Sequence, residues 1–365
     1  MIKKRIAVLG ATGSIGKSSL DIISRDSENL EVVLLSAHSN GQKLKELSKQ
    51  FPKAVCVLTN DSNEKLLDSI LNIKPDITIN GISGAAGLKP SLAAIEAGSH
   101  LALANKETIV MAGRLAVRLA KEKNVNIIPV DSEHSAIFHL SRAYSNDTIR
   151  EILLTASGGP FRNLSVEQMR NVTVEDALSH PTWNMGQKIT IDSASMANKG
   201  LEIIEASVFF NVSPEKIKVV IHPQSIVHSM ICLCSGVIYA QLSKPDMRHP
   251  IHDAIYFPYT TPSFLEPVNF DSLTLEFLKP DFEKFPMLLY AQNAAKSSGL
   301  FPCAYNAANE TAVAAFLERK IKFTDIAKIT SCVLDSSWEG DCMDINSILS
   351  ADSKAREIAV SYIPV

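Results

Sequence analysis

Short, almost wholly apolar runs alternate with stretches of helical period through the first third of the chain. Ile6–Leu9 is the first such run and it stops at Gly10; Glu31–Ala37, Ala54–Leu58, Asp76–Asn80, His100–Ala104 and Asn126–Val130 follow. A run with no polar alternation fits a strand covered on both faces. Between these runs the spacing predicts helices from the Gly10–Gly16 loop through Ile23, over Gln42–Gln50, around Glu64–Leu71, over Ser91–Ala97 with Gly98 closing it, and from Glu107 to about Lys123. Strands alternating with helices build βαβ units and a parallel sheet. Residues 1–130 are therefore expected to form a Rossmann-type, doubly wound α/β domain.

The pattern changes after Val130. Ile152–Ala156, Lys188–Asp192, Val219–His222, Ser225–Leu233 and Val237–Leu242 read as strands, the last two joined by a turn at Ser235-Gly236. An antiparallel or mixed sheet in an α+β second domain over 131–257 is expected. The proline-rich stretch 258–287 reads as a linker or an ordered crossing segment, and the Ala-rich residues 288–365, with Thr311–Arg319 as an example, as a small C-terminal helical domain.

Composition narrows the function classes. A chain of 365 residues is long enough for two or three domains and a large core. Its formal charge of -3 gives no support for a nucleic-acid partner, which calls for a basic excess. No C-x-x-C pair exists among the cysteines, so zinc-ribbon and thioredoxin readings fail; Cys232 and Cys234, two apart in an expected strand, should share a face. The basic Met1–Arg5 leads into too few apolar residues for a secretory segment, and no run approaches the roughly 18 needed to span a bilayer. A cytoplasmic protein with reduced thiols, no membrane and no nucleic acid is the expectation.

Three stretches carry candidate chemistry. Gly10, Gly13 and Gly16 are spaced G-x-x-G-x-x-G between a strand and a helix, where backbone N–H groups can cradle a pyrophosphate; the alternative is a plain tight turn. The second strand ends in His38, Ser39 and Asn40, with Lys43 soon after and no carboxylate to hold a ribose 2′-hydroxyl, so NADPH is favoured over NADH. Asp131-Ser132-Glu133-His134 follows the sixth strand, and in extended backbone its two carboxylates point the same way, toward Mg²⁺ or Mn²⁺; an exposed acidic loop or a helix N-cap fits those residues equally well. In the third stretch, Ser193, Asn198 and Lys199, together with Ser157, have the chemistry to hold a phosphate dianion, and Glu202 falls on the helical face of Asn198. A capped amphipathic helix with solvated polar groups is the plainer reading there. His180 and Trp183 are a loop pair that a solvated turn would also explain.

Taken together, these residues resemble one family, the 1-deoxy-D-xylulose 5-phosphate reductoisomerases. The matching motifs are Gly10–Gly16, Ala104–Glu107, Asp131–His134, Ser157–Phe161, His180–Gly186, Asp192–Glu202, His222–Ser225, Pro245–Arg248 and Asn306–Glu310, in order over most of the chain. The resemblance implies a homodimer that needs NADPH and Mg²⁺ or Mn²⁺, with Co²⁺ a further candidate. It implies conversion of 1-deoxy-D-xylulose 5-phosphate to 2-C-methyl-D-erythritol 4-phosphate, a step of non-mevalonate isoprenoid synthesis. Carried over by motif, Asp131, Glu133 and Glu202 resemble the metal ligands, and Ser157, Ser193, Asn198 and Lys199 the phosphate cradle. Lys106, Ser132, Glu133 and Ser225 resemble groups beside the substrate's oxygens; His180, Trp183 and His228 resemble active-site residues, the first two on a flap that ends at Met185 and Gly186. Gly10, Thr12, Gly13, Ser14, Ile15, Gly16, His38, Ser39, Asn40, Asn105, Lys106, Glu107, Met185 and Gly186 resemble cofactor contacts. The chain departs from the family pattern at Asn184, where Ser is expected, and in the His38-Ser39-Asn40 turn. The competing readings are another two-domain NADP-dependent dehydrogenase and a non-catalytic NADPH sensor, neither of which needs three carboxylates and a phosphate cradle.

Overall fold

Ile6, Ala7, Val8 and Leu9 have no exposed surface, as a strand without polar alternation requires. They belong to the first of two compact units in the computed structural model, which describes residues 3–364 apart from 61, 181 and 184. The first unit comprises 1–108, 116–135 and 246–266; the second comprises 109–115, 136–245 and 267–365.

The first unit contains β1 (Lys4–Leu9), α1 (Ser14–Arg25), β2 (Leu30–Ala37), α2 (Gly41–Gln50), β3 (Val55–Leu58), α3 (Glu64–Ile73), β4 (Ile77–Asn80), α4 (Leu88–Glu96) and β5 (His100–Leu103). There follow α5 (Lys106–Glu122), whose middle residues cluster with the second unit, and β6 (Ile127–Pro129). All six strands are parallel, in the order β3-β2-β1-β4-β5-β6. The order reverses between β1 and β4, the switch point where doubly wound sheets bind ligands at their carboxyl ends. Helix starts follow from local chemistry: Asn40 Oδ1 accepts from Lys43 N at 3.0 Å to cap α2, and Asn105 Oδ1 accepts from Thr108 N at 2.9 Å to cap α5.

Next in the chain come α6 (Ser132–Ser141), which starts in the first unit, β7 (Ile149–Ala156), α7 (Val166–Met169), α8 (Val174–Leu178), α9 (Gln187–Ala194) and α10 (Ala197–Phe209). They are followed by β8 (Ile217–Ile221), β9 (Val227–Leu233), β10 (Ile238–Leu242) and α11 (Arg248–Tyr256), the last of these in the first unit. Four helices complete the second unit: α12 (Pro286–Ser297), α13 (Phe301–Leu317), α14 (Asp325–Leu334) and α15 (Ile345–Ser361). Its sheet runs β10-β9-β7-β8; β7 and β8 are parallel and the other pairs antiparallel, so the sheet is mixed. Within this unit α10 packs on α12, and α13 on α14 and α15. Gly200 permits the close approach, since a Cβ there would lie 2.7 Å from Tyr305 Oη and 2.8 Å from Ala291 Cβ.

Three local expectations are corrected. Lys188–Asp192 is not a strand but part of α9. Its β-branched residues mimic strand patterning, yet Thr190 Oγ1 donates to Gly186 O at 2.8 Å and Lys188 pairs with Asp192 at 2.8 Å, contacts that only a helix allows. Asp131 and Glu133 do not share an extended segment, because Glu133 sits in the first helical turn of α6, which Asp131 caps. Cys232 is buried within β9, but Cys234 lies past the strand's end and is exposed. Among the described residues, no helix is long and apolar enough to cross a membrane.

Candidate active site

In the first unit the glycine loop leaves β1 at the switch point. Gly10 has φ +76°, and a Cβ on it would come within 2.8 Å of Gly81 O, just past β4. A Cβ on Gly16 would come within 2.5 Å of both Ala11 Cα and Gly10 O, so α1 presses against the loop. Gly13 precedes α1 with no side-chain cap. The first-turn N–H groups, among them those of Ser14 and Ile15, are thus left for an anion, and a dinucleotide pyrophosphate fits that cradle. Ala11 N donates to Ser36 O at 2.7 Å, which ties the loop to β2, where His38, Ser39 and Asn40 follow with His38 exposed. Lys43 reaches Glu46 at 2.8 Å.

Asn105 holds the next wall of this unit. Its Nδ2 faces Ile82 O at 2.8 Å, Gly84 O at 2.9 Å and Glu107 Oε2 at 2.8 Å, so its hydrogen-bonding capacity is taken up inside the protein. Lys106 and Glu107 open α5, each only 6% exposed. Lys106 Nζ is hydrogen-bonded to Asp131 Oδ2. Asp131 Oδ1 accepts from Glu133 N at 3.0 Å, His134 N at 3.1 Å and the His134 ring Nδ1 at 2.9 Å. Ser132 donates to Glu133 Oε2. Two carboxylates therefore stand at the positive end of α6 beside a buried ammonium group. Hard carboxylate oxygens with a cation already drawn to them suit Mg²⁺ or Mn²⁺. The role of His134 was not legible in the sequence beyond its place in the Asp131–His134 motif.

In the second unit Ser157 follows β7 on a turn through Gly158 and Gly159, at φ +83° and +67°. Ser157 Oγ and Ser193 Oγ lie 3.2 Å and 3.1 Å from His180 Nε2. His180 Nδ1 accepts from Thr182 N at 3.1 Å and Trp183 N at 2.9 Å. Since Nδ1 accepts, the neutral ring carries its proton on Nε2, facing the two hydroxyls. Burial holds the His180 pKa below its ordinary value. Pro181 and Asn184 of the expected flap lie outside the described residues; Met185 and Gly186 lead into α9, with Gly186 at its N-cap.

Helix α10 carries the remaining polar set. Asn198 Nδ2 donates to Glu202 Oε1 at 2.7 Å, and Lys199 Nζ bonds Glu202 Oε2. Lys199 is 3% exposed and Glu202 0%. The buried Asn198 Oδ1 has no hydrogen-bond partner among the described residues. Two hydroxyls, an amide and an ammonium are donors suited to a phosphate dianion. Elsewhere in this unit Ser225 sits at φ +52°, and His228 Nε2 lies 2.9 Å from Ser243 Oγ.

Family models match the chain at three places. The 1-deoxy-D-xylulose 5-phosphate reductoisomerase model covers residues 6–75 and 64–113; that enzyme's C-terminal domain covers 127–210, and a further DXP reductoisomerase C-terminal domain covers 242–358. The chain is 48% identical over 373 residues to the 1-deoxy-D-xylulose 5-phosphate reductoisomerase of Treponema denticola, a match spanning 100% of this chain and 98% of that one. It is 46% identical over 380 residues to the enzyme of the same name from Pelodictyon phaeoclathratiforme, spanning 99% and 100%. Among solved structures it is similar to the enzyme of Zymomonas mobilis in complex with NADPH, with TM-score 0.90, 39% identity and 99% of each chain covered. It is also similar to a DOX-P reductoisomerase in complex with NADPH, fosmidomycin and magnesium, with TM-score 0.93, 38% identity and 98% of each chain covered.

Proposed function

The chain belongs to the 1-deoxy-D-xylulose 5-phosphate reductoisomerase family, and we infer from that membership that it isomerises and reduces 1-deoxy-D-xylulose 5-phosphate to 2-C-methyl-D-erythritol 4-phosphate, with NADPH and a divalent cation. The observation that carries this reading is likeness over the full chain together with an intact set of expected side chains, from the glycine loop to Glu202.

We assign Asp131, Glu133 and Glu202 as the ligands of the cation, with Mg²⁺ or Mn²⁺ favoured by their hard oxygens. When bound, the cation supplies Lewis-acid polarisation of a carbonyl and NADPH supplies hydride. The protein's own groups bind and orient. Gly10–Gly16 and the N-terminus of α1 receive the pyrophosphate, with Thr12, Ser14 and Ile15 alongside, and His38, Ser39 and Asn40 take the 2′-phosphate end. Asn105 shapes the wall on which Lys106 and Glu107 stand, its amide already committed to backbone and Glu107. Ser157, Ser193, Asn198 and Lys199 hold the substrate phosphate, far from the reacting carbons, so its binding energy is available to fix orientation. Neutral His180 presents an N–H to that cradle; Trp183, beside it, covers the substrate and excludes water. Lys106, Ser132, Ser225 and His228 donate to substrate oxygens.

We also propose a homodimer and a cytoplasmic location. In support of the dimer, β10 is an edge strand whose Ile238 and Tyr239, with Val237 before them, are large exposed apolar residues.

NADPH oxidation followed by absorbance tests the reading directly. It should require both 1-deoxy-D-xylulose 5-phosphate and Mg²⁺ or Mn²⁺. Tight NADPH binding with no oxidation under either metal would refute it and point to a different NADP-dependent dehydrogenase.

A further inference from the structure

One buried polar contact in the second unit has no part in the function assigned above. Asn309 of α13, with no exposed surface, donates from Nδ2 to Asp192 Oδ1 of α9 at 2.8 Å. Asp192 is 1% exposed, and its other oxygen takes Lys188 Nζ at 2.8 Å, one turn earlier in α9. The rest of α13 is mostly alanine and other apolar residues, suited to packing alone. Asn309 Oδ1 has no hydrogen-bond partner among the described residues. A half-satisfied buried amide is a poor way to gain stability, because Asn309 loses water at both of its polar atoms and its Oδ1 regains no bond among the described residues.

What the contact does achieve is placement. Asp192 immediately precedes Ser193, whose Oγ shares the His180 N–H with Ser157. The other side of that helical turn is fixed by the Gly158–Gly159 turn, where a Cβ on Gly159 would come within 2.6 Å of Ser193 O. The last turn of α9 is thus held between a glycine turn and an amide reaching from the C-terminal helices.

We propose that Asn309, through Asp192, is a positioning residue for the phosphate end of the substrate: it sets the place of Ser193 without touching the substrate. The inference rests on Ser193 being part of the phosphate cradle.

The test compares Ser193→Ala, Asn309→Ala and the exchanged pair Asp192→Asn/Asn309→Asp. The readouts are kcat, KM for 1-deoxy-D-xylulose 5-phosphate, the inhibition constant of inorganic phosphate, and NADPH affinity by fluorescence. Asn309→Ala is expected to raise KM and the phosphate inhibition constant together, about tenfold, with kcat changed less than threefold and NADPH affinity unchanged. The exchanged pair keeps one amide and one carboxylate and should restore at least half of the loss on a logarithmic scale; it also serves if Asn309→Ala does not fold. A normal phosphate inhibition constant in Asn309→Ala, with Ser193→Ala weakened, overturns the inference and leaves the cradle standing. A normal constant in Ser193→Ala overturns both. Equal loss of phosphate and NADPH binding in Asn309→Ala, or no recovery in the exchanged pair, assigns the contact to general stability and also overturns the inference.

Discussion

Each unit buries a lysine against a carboxylate, and the two pairs are built differently. In the first unit Asp131 is held by the fold: two backbone N–H groups and the His134 ring fix one oxygen before Lys106 takes the other. In the second unit Glu202 stands in the body of α10, and Asn198 and Lys199, four and three residues earlier on the same helix, each reach one of its oxygens. The Asp131 side chain is 15% exposed and that of Glu202 0%. Asp131 thus has a structural duty, capping α6, that would keep it in place with no cation near. Glu202 caps no helix; it is a carboxylate buried in mid-helix, whose desolvation Asn198 and Lys199 help to offset. The contrast makes Glu202 the more deeply buried of the two carboxylates and the more costly to desolvate.

Amide substitutions break that comparison most severely. Glu202→Gln and Asp131→Asn keep size and should each lower kcat on the order of 10³-fold, as loss of a charge at the reacting centre does. Their stabilities should differ. Asp131→Asn retains an acceptor for the backbone N–H groups but leaves Lys106 against a neutral, partly exposed amide, and about 2 kcal/mol is expected. Glu202→Gln leaves the Lys199 ammonium buried against a neutral amide, and about 3 kcal/mol is expected. Urea midpoints measure this, and NADPH affinity should stay within twofold for Glu202→Gln. A parallel loss of NADPH binding would sink the assignment of Glu202 to the metal.

How much of this was legible in the sequence depends on where the signal lies. The parallel sheet was legible because strands buried on both faces read as apolar runs, Ile6–Leu9 first among them. The i, i+4 spacing of Asn198 and Glu202 placed them on one helical face, where they are hydrogen-bonded. Lys188–Asp192 misled because Ile189, Thr190 and Ile191 favour strands, while the side-chain contacts that select a helix appear only once the backbone has coiled. The pairing of Asn309 with Asp192 joins residues 117 apart in the chain, and no local pattern encodes it. Asn105 was anticipated at the cofactor side, but that its amide is spent on Ile82, Gly84 and Glu107 follows only from three-dimensional neighbours.

Within the first unit the glycine loop offers a smaller, graded test. At Gly16 an added methyl would come within 2.5 Å of backbone, and at Gly13 the nearest atom would be Gly10 O at 3.3 Å. Gly16→Ala should cost about 1–3 kcal/mol of stability and weaken NADPH at least tenfold, because α1 must back away from the loop. Gly13→Ala should do less on both counts. Equal effects would mean that the loop is not held against the helix as described.

The smallest effect concerns His180, in the loop between α8 and α9 of the second unit. Burial lowers the folded-state pKa of His180 below the ordinary histidine value of about 6.5. Above that pH the ring is neutral in both the folded and unfolded chain and contributes no pH dependence. As pH falls below it, the unfolded chain takes up the proton first, so stability is lost until the folded-state pKa is passed. Protonation at Nδ1 would also remove the acceptor used by Thr182 N and Trp183 N. Wild type should therefore lose more stability between pH 7.5 and 5.5 than His180→Gln, as urea midpoints at the two pH values would show. The difference should be modest, since the ring is only half-buried. An identical loss in both proteins would mean that the ring is not held neutral between Ser157 and Ser193, and the proton placement assigned to the phosphate cradle would fall with it.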